Sequence, residues 1–335
     1  MIGQLVVLRF AAILPSTSAA GRPVESLIGG ARRALVIGIG GGGDVVGALS
    51  TALLCERLGT PAVLGGTTWE RRPIDPLPGP RRPDEIVGAR VLGEGVLAAG
   101  PETRTDRGVV FAESRMARLR GEDTLLVDPH PASRAIAGGL ADACDALGAD
   151  LVVLVDVGGD VLGDGSEPGL ASPLCDAVLL AAGAHLEERG MKVMGAVFGP
   201  CCDGELTLDE VLDRIARLGA AGALLGTEGM SPEVADELER ACAEIPTEAS
   251  AMAVRCARGE IGVATIRGGR RQVMLSPVGA LTFYFDPALA VARVARLADA
   301  VRETESLEHA NEVLRGLGVR TELDYELANP PPAEG

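Results

Sequence analysis

The sequence predicts an α/β protein built on a doubly wound, mostly parallel sheet of the Rossmann-like kind, followed by a C-terminal α+β extension. Two observations support this prediction. Short apolar runs alternate with segments of helical periodicity from residue 31 to residue 245, which is typical of βαβ units. Several of these runs end abruptly at glycine or aspartate, as buried strands do at the ligand-binding edge of an open sheet.

Each element is predicted from its apolar pattern and its stop signals. Strands are expected at residues 34–39, 61–64, 124–127, 151–155, 192–198 and 221–225, with two or three edge strands within 85–111. Helices are expected at residues 45–58, 113–120, 133–147, 173–189, 208–218 and 232–243. After Pro246 the expected order is a helix at 248–258, β-like segments at 261–267, 272–275 and 281–285, and helices at 287–302 and 307–317.

These patterns divide the chain into four parts. Residues 1–30 are expected to form a first strand or an extension, because Arg9 inside the apolar stretch is atypical of a signal peptide. Residues 31–245 form the Rossmann-like domain and residues 246–328 the α+β extension. The proline-rich end at 329–335 is predicted to be disordered.

Composition narrows the class of partner. A formal net charge of −16, with one Trp, two Tyr and five Phe, disfavours nucleic acid, which needs a basic face and stacking surfaces. No apolar run reaches the roughly 18 residues of a membrane span, so no membrane association is expected. Seven cysteines without a Cys-x-x-Cys pair indicate a reduced, cytoplasmic protein without structural zinc. We expect a homodimer that binds a small anionic or polyol substrate.

A glycine loop follows the first predicted strand, where Rossmann proteins bind the pyrophosphate of a dinucleotide. An NAD(P) cofactor is disfavoured because the second strand ends without the acid that holds a ribose. Asp44 also opposes a phosphate unless a cation bridges them, and the alternative is that it caps the helix while the glycines allow close packing. The residues predicted to contact a ligand here are Gly38, Gly40, Gly41, Gly42, Gly43, Asp44, Thr67 and Thr68.

Residues 65–86 form a long proline-rich loop that holds the only tryptophan and two arginine pairs. Guanidinium groups bind phosphates and carboxylates bidentately, so Arg71 and Arg72 are predicted to bind an anionic ligand beneath a lid formed by this loop. The alternative is that the arginines pair with surface acids or form a subunit contact.

Carboxylates crowd the loop after the strand at 151–155. Asp156, Asp160, Asp164 and Glu167 are separated by glycines, and like charges this close persist most easily around a cation. The spacing does not fit an EF-hand, so the four are predicted as ligands of Mg²⁺ or Mn²⁺ in a looser oxygen site. Binding of polyol hydroxyls and a solvated loop remain as alternatives, and helix capping alone explains Asp176.

Three residues are candidates for catalysis. His130 follows a strand and is the histidine best placed for proton transfer, and Asp160 and Glu167 are acids of the carboxylate loop. The pattern favours a metal-assisted hydrolase or group-transfer enzyme acting on a small phosphorylated or ribose-containing metabolite. The alternatives are a non-catalytic nucleotide-like ligand-binding or sensor protein and a nicotinamide-dependent oxidoreductase.

Four segments stand out by their glycine, acid and proline spacing: GIGGGGDVVGA, GGTTWERRPIDPLPGPRR, VDVGGDVLGDGSEPGLASPLCDAVLLAA and DGELTLDEVL. Through them the chain resembles the family called domain of unknown function 1152, over roughly residues 30–320. The resemblance implies no activity. Cys201-Cys202 stand where small residues are expected, which argues against either thiol as a nucleophile. The residues it assigns to the family pattern are Gly40, Asp44, Arg71, Asp160, Glu167 and Asp176.

Overall fold

A nine-stranded sheet organises the part of the chain that the computed structural model describes, residues 23–329. The strands are β1 (Ala34–Gly38), β2 (Ala62–Thr67), β3 (Ile86–Gly93), β4 (Val96–Thr105), β5 (Thr124–Val127), β6 (Leu151–Val157), β7 (Lys192–Phe198), β8 (Leu224–Gly229), β9 (Gly262–Ile266), β10 (Arg271–Leu275) and β11 (Leu281–Phe285). The helices are α1 (Val24–Gly29), α2 (Asp44–Arg57), α3 (Ala112–Arg120), α4 (Ala132–Leu147), α5 (Pro173–Glu188), α6 (Leu208–Ala220), α7 (Pro232–Glu244), α8 (Glu248–Ala257), α9 (Pro287–Arg293), α10 (Arg296–Val301), α11 (Leu307–Gly316) and α12 (Glu322–Ala328).

The strand order is β3-β4-β5-β2-β1-β6-β7-β11-β8, and β9 and β10 form a separate hairpin. The five central strands, from β5 to β7, run parallel. Strand β2 lies on one side of β1 in the sheet, whereas β6 and β7 lie on its other side. The prediction of a doubly wound, mostly parallel α/β fold is therefore confirmed, with a switch in winding direction between β1 and β6.

The central strands are buried on both faces. Along β1, Leu35 and Ile37 belong to one hydrophobic core, whereas Ala34 and Val36 belong to the other. This alternation follows from the two-residue period of a strand, and continuous apolar runs are typical of strands covered by helices on both sides. Helices α4 and α5 cover one face, and α2, α7 and α8 cover the opposite face.

The C-terminal part departs from its predicted elements in three places. Strand β11 joins the main sheet and pairs antiparallel with β7 and β8. The helix predicted at 287–302 is two helices, because Val294 and Ala295 leave the helical conformation. Helix α12 was not predicted at all, and it packs against α5 beside the sheet edge described below.

The N-terminal and C-terminal predictions fall largely outside the described residues. Of the strand or extension expected at 1–30, the described portion contains α1, and residues 1–22 lie outside it. Of the expected tail at 329–335, residues 330–335 lie outside it. Within residues 23–329, no helix combines the length and the apolar character needed to cross a bilayer.

Candidate functional site

A cavity of about 480 Å³ opens at the carboxyl ends of β1 and β6, where the winding direction switches. The loops after these two strands run to opposite faces of the sheet and leave a crevice between them, which is where open α/β sheets usually bind ligands. The cavity is completed by the β9–β10 hairpin, by the loop after β7 and by α12. Elements more than 250 positions apart in sequence therefore share one site.

Five buried carboxylates, which we call the acid cluster, lie close together at this cavity, and all of them except Asp156 line it. One oxygen each from Asp156, Asp160 and Asp176 lies within 4.8 Å of the others. A second group of Asp160, Asp203 and Glu205 meets the same limit, so Asp160 belongs to both. All five side chains are buried, and they come from the end of β6, the turn that follows it, the start of α5 and the loop after β7.

Two glycines bring the acid cluster together. Gly158 and Gly159 have φ values of +126° and +116°, which residues with a side chain rarely adopt. They turn the chain sharply after β6, so that Asp160 returns beside Asp156. A Cβ at Gly158 would also overlap the carboxylate of Asp203. Both the turn and the close approach therefore require glycine at this position.

Burial and mutual repulsion raise the pKa values of the acid cluster. Desolvation raises the pKa of Asp156 to about 7, and it raises that of Asp160, next to Asp176, well above its usual range. The pKa values of Asp176 and Asp203 are raised in the same way, by burial first and by neighbouring carboxylates second. Such a site favours either protonated acids or a bound cation.

Several oxygens of the acid cluster have no hydrogen-bond donor of normal geometry among residues 23–329. They are both carboxylate oxygens of Asp156, Oδ1 of Asp176 and Oδ1 of Asp203. Buried polar atoms are nearly always satisfied, so each unpartnered oxygen favours the binding of a cation or a proton. Carboxylate oxygens are also the ligands that Mg²⁺ and Mn²⁺ prefer, and the residues present therefore fit a divalent cation.

Helix capping does not explain Asp176. The carboxylate of Glu322, from α12, accepts the backbone N–H groups of Leu174 (3.1 Å) and Cys175 (2.9 Å) at the start of α5. Ser172, at the N-cap position, uses its hydroxyl to bind Glu205 instead of its own helix. Asp176 is therefore free to face the cavity from the first turn of α5.

The glycine loop uses its own polar groups internally. The Gly40 N–H donates to the Asp44 carboxylate at 2.9 Å, and the Gly42 N–H donates to the Trp69 carbonyl at 2.8 Å. A Cβ at Gly38 would lie 2.6 Å from the Asp44 carbonyl carbon, so this glycine permits close packing of β1 against α2. Burial raises the pKa of Asp44 to about 8, and its carboxylate lines the cavity. Gly41, in a left-handed conformation, also lines the cavity, whereas Gly43 is the N-cap of α2.

Arg71 is the cation closest to this loop. Its guanidinium lies 4.4 Å from the centre of the Trp69 ring, and Nη2 donates to the Gly40 carbonyl and to Glu322 at 3.3 Å. Its Nε–H has no acceptor within the described chain. Arg72 also lines the cavity and donates to backbone carbonyls at the end of α12. The two arginines predicted to bind an anion thus sit at the mouth of the acidic cavity.

Further arginines surround the same opening, and the sequence patterns did not single them out. Together with Arg71 and Arg72 they form a set that we call the arginine rim. Only Arg271 makes a direct ion pair with the acid cluster, at 2.8 Å from Glu205. The additional members, from the β9–β10 hairpin and the segment before α12, are Arg267, Arg270, Arg271 and Arg320.

The remaining predicted residues lie apart from the cavity. His130 Nδ1 contacts Asp128 at 2.6 Å, and neither residue lines the cavity. Thr67 and Thr68 are buried behind the loop and do not line it either. Asp164 and Glu167 turn away from Asp160 and bind Arg214 at 2.7 and 2.6 Å, because this buried guanidinium satisfies them both. The structure therefore keeps Asp156 and Asp160 together and separates the other two predicted cation ligands from them.

We expect Glu167→Gln to destabilise the fold without weakening cation binding. Glu167 is 6% exposed, accepts the Asp164 and Gly165 N–H groups, and pairs with Arg214. The amide has one acceptor oxygen, so its NH2 group would face either the backbone N–H groups or the Arg214 guanidinium. Losing a hydrogen bond to a charged group costs about 2 kcal/mol. Urea unfolding measures the stability, and Mn²⁺ titration measures the affinity for the cation. Unchanged stability with weakened Mn²⁺ binding would return Glu167 to the ligand set.

The two thiols that follow β7 are not activated as nucleophiles. Cys201 and Cys202 follow β7, and both are buried. Burial raises the pKa of Cys201 to about 12, so it remains a protonated thiol at neutral pH. All seven cysteines lie within the described residues and none is in a disulfide. The chemistry of the cavity is therefore that of carboxylates and arginines.

Comparison with known proteins identifies a family. A family model described as "Protein of unknown function (DUF1152)" matches residues 35–329. No curated protein and no solved structure matches the chain. The matched span includes the glycine loop, the acid cluster and the arginine rim. The chain therefore belongs to the DUF1152 family of proteins of unknown function.

Proposed function

We propose that the chain is a divalent-cation-dependent enzyme that hydrolyses or transfers a phosphoryl group of a small phosphorylated, ribose-containing metabolite. The observation that carries this proposal is the polarity of the cavity. Buried carboxylates with unpartnered oxygens lie at its bottom, and the arginine rim surrounds its mouth. A cation between the two layers would satisfy the acids, and an anionic group would join the cation to the arginines.

Charge balance favours the cation. Apart from Arg271, no member of the arginine rim in the described chain makes a direct ion pair with the acid cluster. An uncompensated buried carboxylate is costly, so without a cation most of these acids must hold protons. Mg²⁺ and Mn²⁺ both bind carboxylate oxygens, and Mg²⁺ commonly completes its shell with water and substrate phosphate. Asp156, Asp160 and Asp176 are the residues that would hold it.

The arginine rim favours a phosphorylated substrate. Arg71 retains an unpartnered Nε–H at the edge of the cavity, and a planar guanidinium suits a phosphate oxygen pair. A volume of about 480 Å³ falls within the range of ligand pockets for metabolites of nucleotide size. Carboxylates such as Asp44 would accept hydrogen bonds from ribose hydroxyls at the same time.

The chemistry follows from the charges that develop during the reaction. A bound cation lowers the pKa of a coordinated water and withdraws charge from the phosphoryl oxygens. In hydrolysis the water gives one proton to solvent, and its oxygen forms a bond to phosphorus. The bond from phosphorus to the leaving oxygen breaks, and that oxygen takes up a proton. The arginines bind the substrate phosphate and offset its negative charge.

The glycine loop supports this proposal over nicotinamide chemistry. The Gly40 N–H, which a dinucleotide-binding loop would offer to a pyrophosphate, already donates to Asp44. Strand β2 ends at Thr67, and the first acid after it is Glu70. Glu70 accepts the backbone N–H of Ala112 and does not line the cavity, so it is not placed to bind the ribose of NAD. A sensor that binds the same metabolite without turnover is the second candidate. It would need the arginine rim but not the unpartnered oxygens of the acid cluster.

Thermal unfolding of the metal-free protein tests the proposal. Mg²⁺, Mn²⁺ or Ca²⁺ is added alone and together with sugar phosphates, nucleotides or dinucleotides. We expect Mg²⁺ or Mn²⁺ at about a hundred times its Kd to raise the Tm by about 4 °C. A phosphorylated compound should raise it further only when the cation is present, and the same compound should then be turned over with release or transfer of phosphate.

Two variants make the test specific. Asp160→Asn should abolish the cation-dependent increase in Tm. Glu187→Gln, at the opposite end of α5 from Asp176, should preserve it, because Glu187 does not line the cavity. Stabilisation by NAD(P) without a cation, with hydride transfer, would replace the proposal by the oxidoreductase alternative. Tight binding of a metabolite with no turnover would favour the second candidate, a sensor without catalytic activity.

A further inference from the structure

We propose that the acid cluster binds two divalent cations and that Asp160 is their shared ligand. This inference deepens the proposed function, because it specifies the metal centre of the same site. The first cation position is formed by Asp156, Asp160 and Asp176, and the second by Asp160, Asp203 and Glu205. In each group the ligand oxygens lie within 4.8 Å of one another, close enough for one carboxylate to bridge two cations.

Unpartnered oxygens occur in both halves of the cluster. In the first half, both oxygens of Asp156 and Oδ1 of Asp176 lack a donor of normal hydrogen-bond geometry within the described chain, and each residue is 1% exposed. In the second half, Oδ1 of Asp203 lacks one, and this residue is 5% exposed. One cation bound in either half would leave the buried oxygens of the other half unsatisfied. Two cations satisfy both.

The second position should bind its cation more weakly. Glu205 accepts the N–H groups of Ala171 (2.7 Å) and Ser172 (2.9 Å) and pairs with Arg271 at 2.8 Å. Part of its charge is therefore already compensated, and Arg271 repels a neighbouring cation. In the first position, by contrast, no arginine contacts Asp156, Asp160 or Asp176 by an ion pair in the described chain. Binding should thus occur in two distinguishable steps.

A two-cation centre defines the substrate class. Paired cations stabilise an in-line displacement at phosphorus by holding both the attacking and the leaving oxygen. Two cations held by the acid cluster would lower the pKa of the attacking water and offset the charge on the leaving oxygen. The water would lose a proton to solvent as its oxygen bonds to phosphorus, and the leaving oxygen would take up a proton as its bond to phosphorus breaks. The arginine rim then binds the remaining phosphate oxygens. We therefore infer a phosphate ester or phosphate anhydride as the substrate.

Mn²⁺ titration of the full-length, metal-free protein tests the inference without any substrate. Calorimetry counts the bound ions, and electron paramagnetic resonance distinguishes isolated from exchange-coupled Mn²⁺. We expect two Mn²⁺ per chain and an exchange-coupled spectrum. Asp203→Asn should lose the weaker ion and show isolated Mn²⁺. Asp176→Asn should weaken the tighter ion by about 100-fold or more, since losing a ligand costs at least as much as losing a second-shell partner. Asp160→Asn should lose the coupled spectrum and both high-affinity sites.

Two further variants separate ligand roles from structural ones. Arg271→Gln should tighten the weaker Mn²⁺ site by removing a repulsive charge, which a merely structural role of Arg271 would not produce. Glu187→Gln should leave both sites unchanged. One Mn²⁺ per chain with an isolated-ion spectrum would overturn the two-cation inference and leave the proposed function standing. Two uncoupled Mn²⁺ ions would overturn the bridging role of Asp160. No Mn²⁺ binding would overturn both this inference and the proposed function.

Discussion

We expect the metal-free protein to lose stability as the pH rises from about 4 to about 8, and a divalent cation to restore it. Burial raises the pKa of Asp44 from 3.8 to about 8 and that of Asp156 to about 7. Between these values and 3.8 the folded protein holds more protons than the unfolded chain. Stability is then fully present below the unfolded pKa and is lost as the pH rises through the folded pKa.

The stabilisation by a bound cation should increase as the pH rises. Binding requires deprotonated carboxylates, so affinity rises with pH and the Tm increase caused by Mn²⁺ should be larger at pH 8 than at pH 5. With Mn²⁺ at about a hundred times its Kd at pH 8, we expect an increment of about 4 °C at pH 8 and a much smaller one at pH 5. Thermal unfolding across this pH range, with chelator and with Mn²⁺, measures both effects.

A control isolates the contribution of the cavity. Burial also raises the pKa of Glu187 to about 8, and Glu187 lies outside the cavity lining. Glu187→Gln should therefore reduce the loss of stability of the metal-free protein as the pH rises. It should leave the increase in Tm caused by Mn²⁺ unchanged. An Mn²⁺ increment that is the same at pH 5 and pH 8 would contradict the assignment of these carboxylates as cation ligands.

The central fold was predictable because it depends on local patterns. Apolar runs such as 151–155 are long enough for buried strands, and the helix signals between them are strong. Parallel order then follows from the βαβ alternation, so the sheet edge that bears the site was also predictable. Strand β11 was recognised as β-like, but its position between β7 and β8 was not, since no local pattern encodes antiparallel insertion into a distant part of the sheet.

The site was predictable only in part, because its ligands are chosen by tertiary contacts. Asp156 and Asp160 meet through a local turn, and the glycines in the sequence indicate that turn. Asp164 and Glu167 have the same local character, yet they bind Arg214, which lies about 50 residues away in sequence. The sequence predicts a capping role for Asp176, because its position in the first turn is typical of a cap. Only the contact from α12 shows that Glu322 binds these amides instead.

We expect Arg71→Met to destabilise the metal-free protein and, at the same time, to tighten Mn²⁺ binding. Arg71 pairs with the buried Glu322, donates to the Gly40 carbonyl and stacks on Trp69. Removing one partner of a buried ion pair costs about 3 kcal/mol or more. Glu322 would still accept the Leu174 and Cys175 N–H groups, which places the loss at the lower end of that range.

The gain in affinity has a separate cause. Arg71 opposes the rise in the pKa values of Asp44 and Asp176, so it supplies positive charge close to Asp176, one of the carboxylates that a cation would bind. Its removal leaves those carboxylates more dependent on Mn²⁺ and also removes a donor for the substrate phosphate. Urea unfolding with chelator, Mn²⁺ titration and the affinity for inorganic phosphate measure the three effects.

Arg71→Lys separates charge from geometry. Lysine restores the charge, so Mn²⁺ affinity should return toward the original value, whereas the planar contacts to Trp69 and Glu322 should be regained only in part. Phosphate affinity should remain reduced, because an ammonium group cannot bind an oxygen pair bidentately. If Arg71→Met weakened Mn²⁺ binding while Arg71→Lys did not restore it, Arg71 would be a structural support of the cavity. The proposal that Arg71 acts on the acid cluster through its charge, on which the proposed phosphate chemistry depends, would then be wrong.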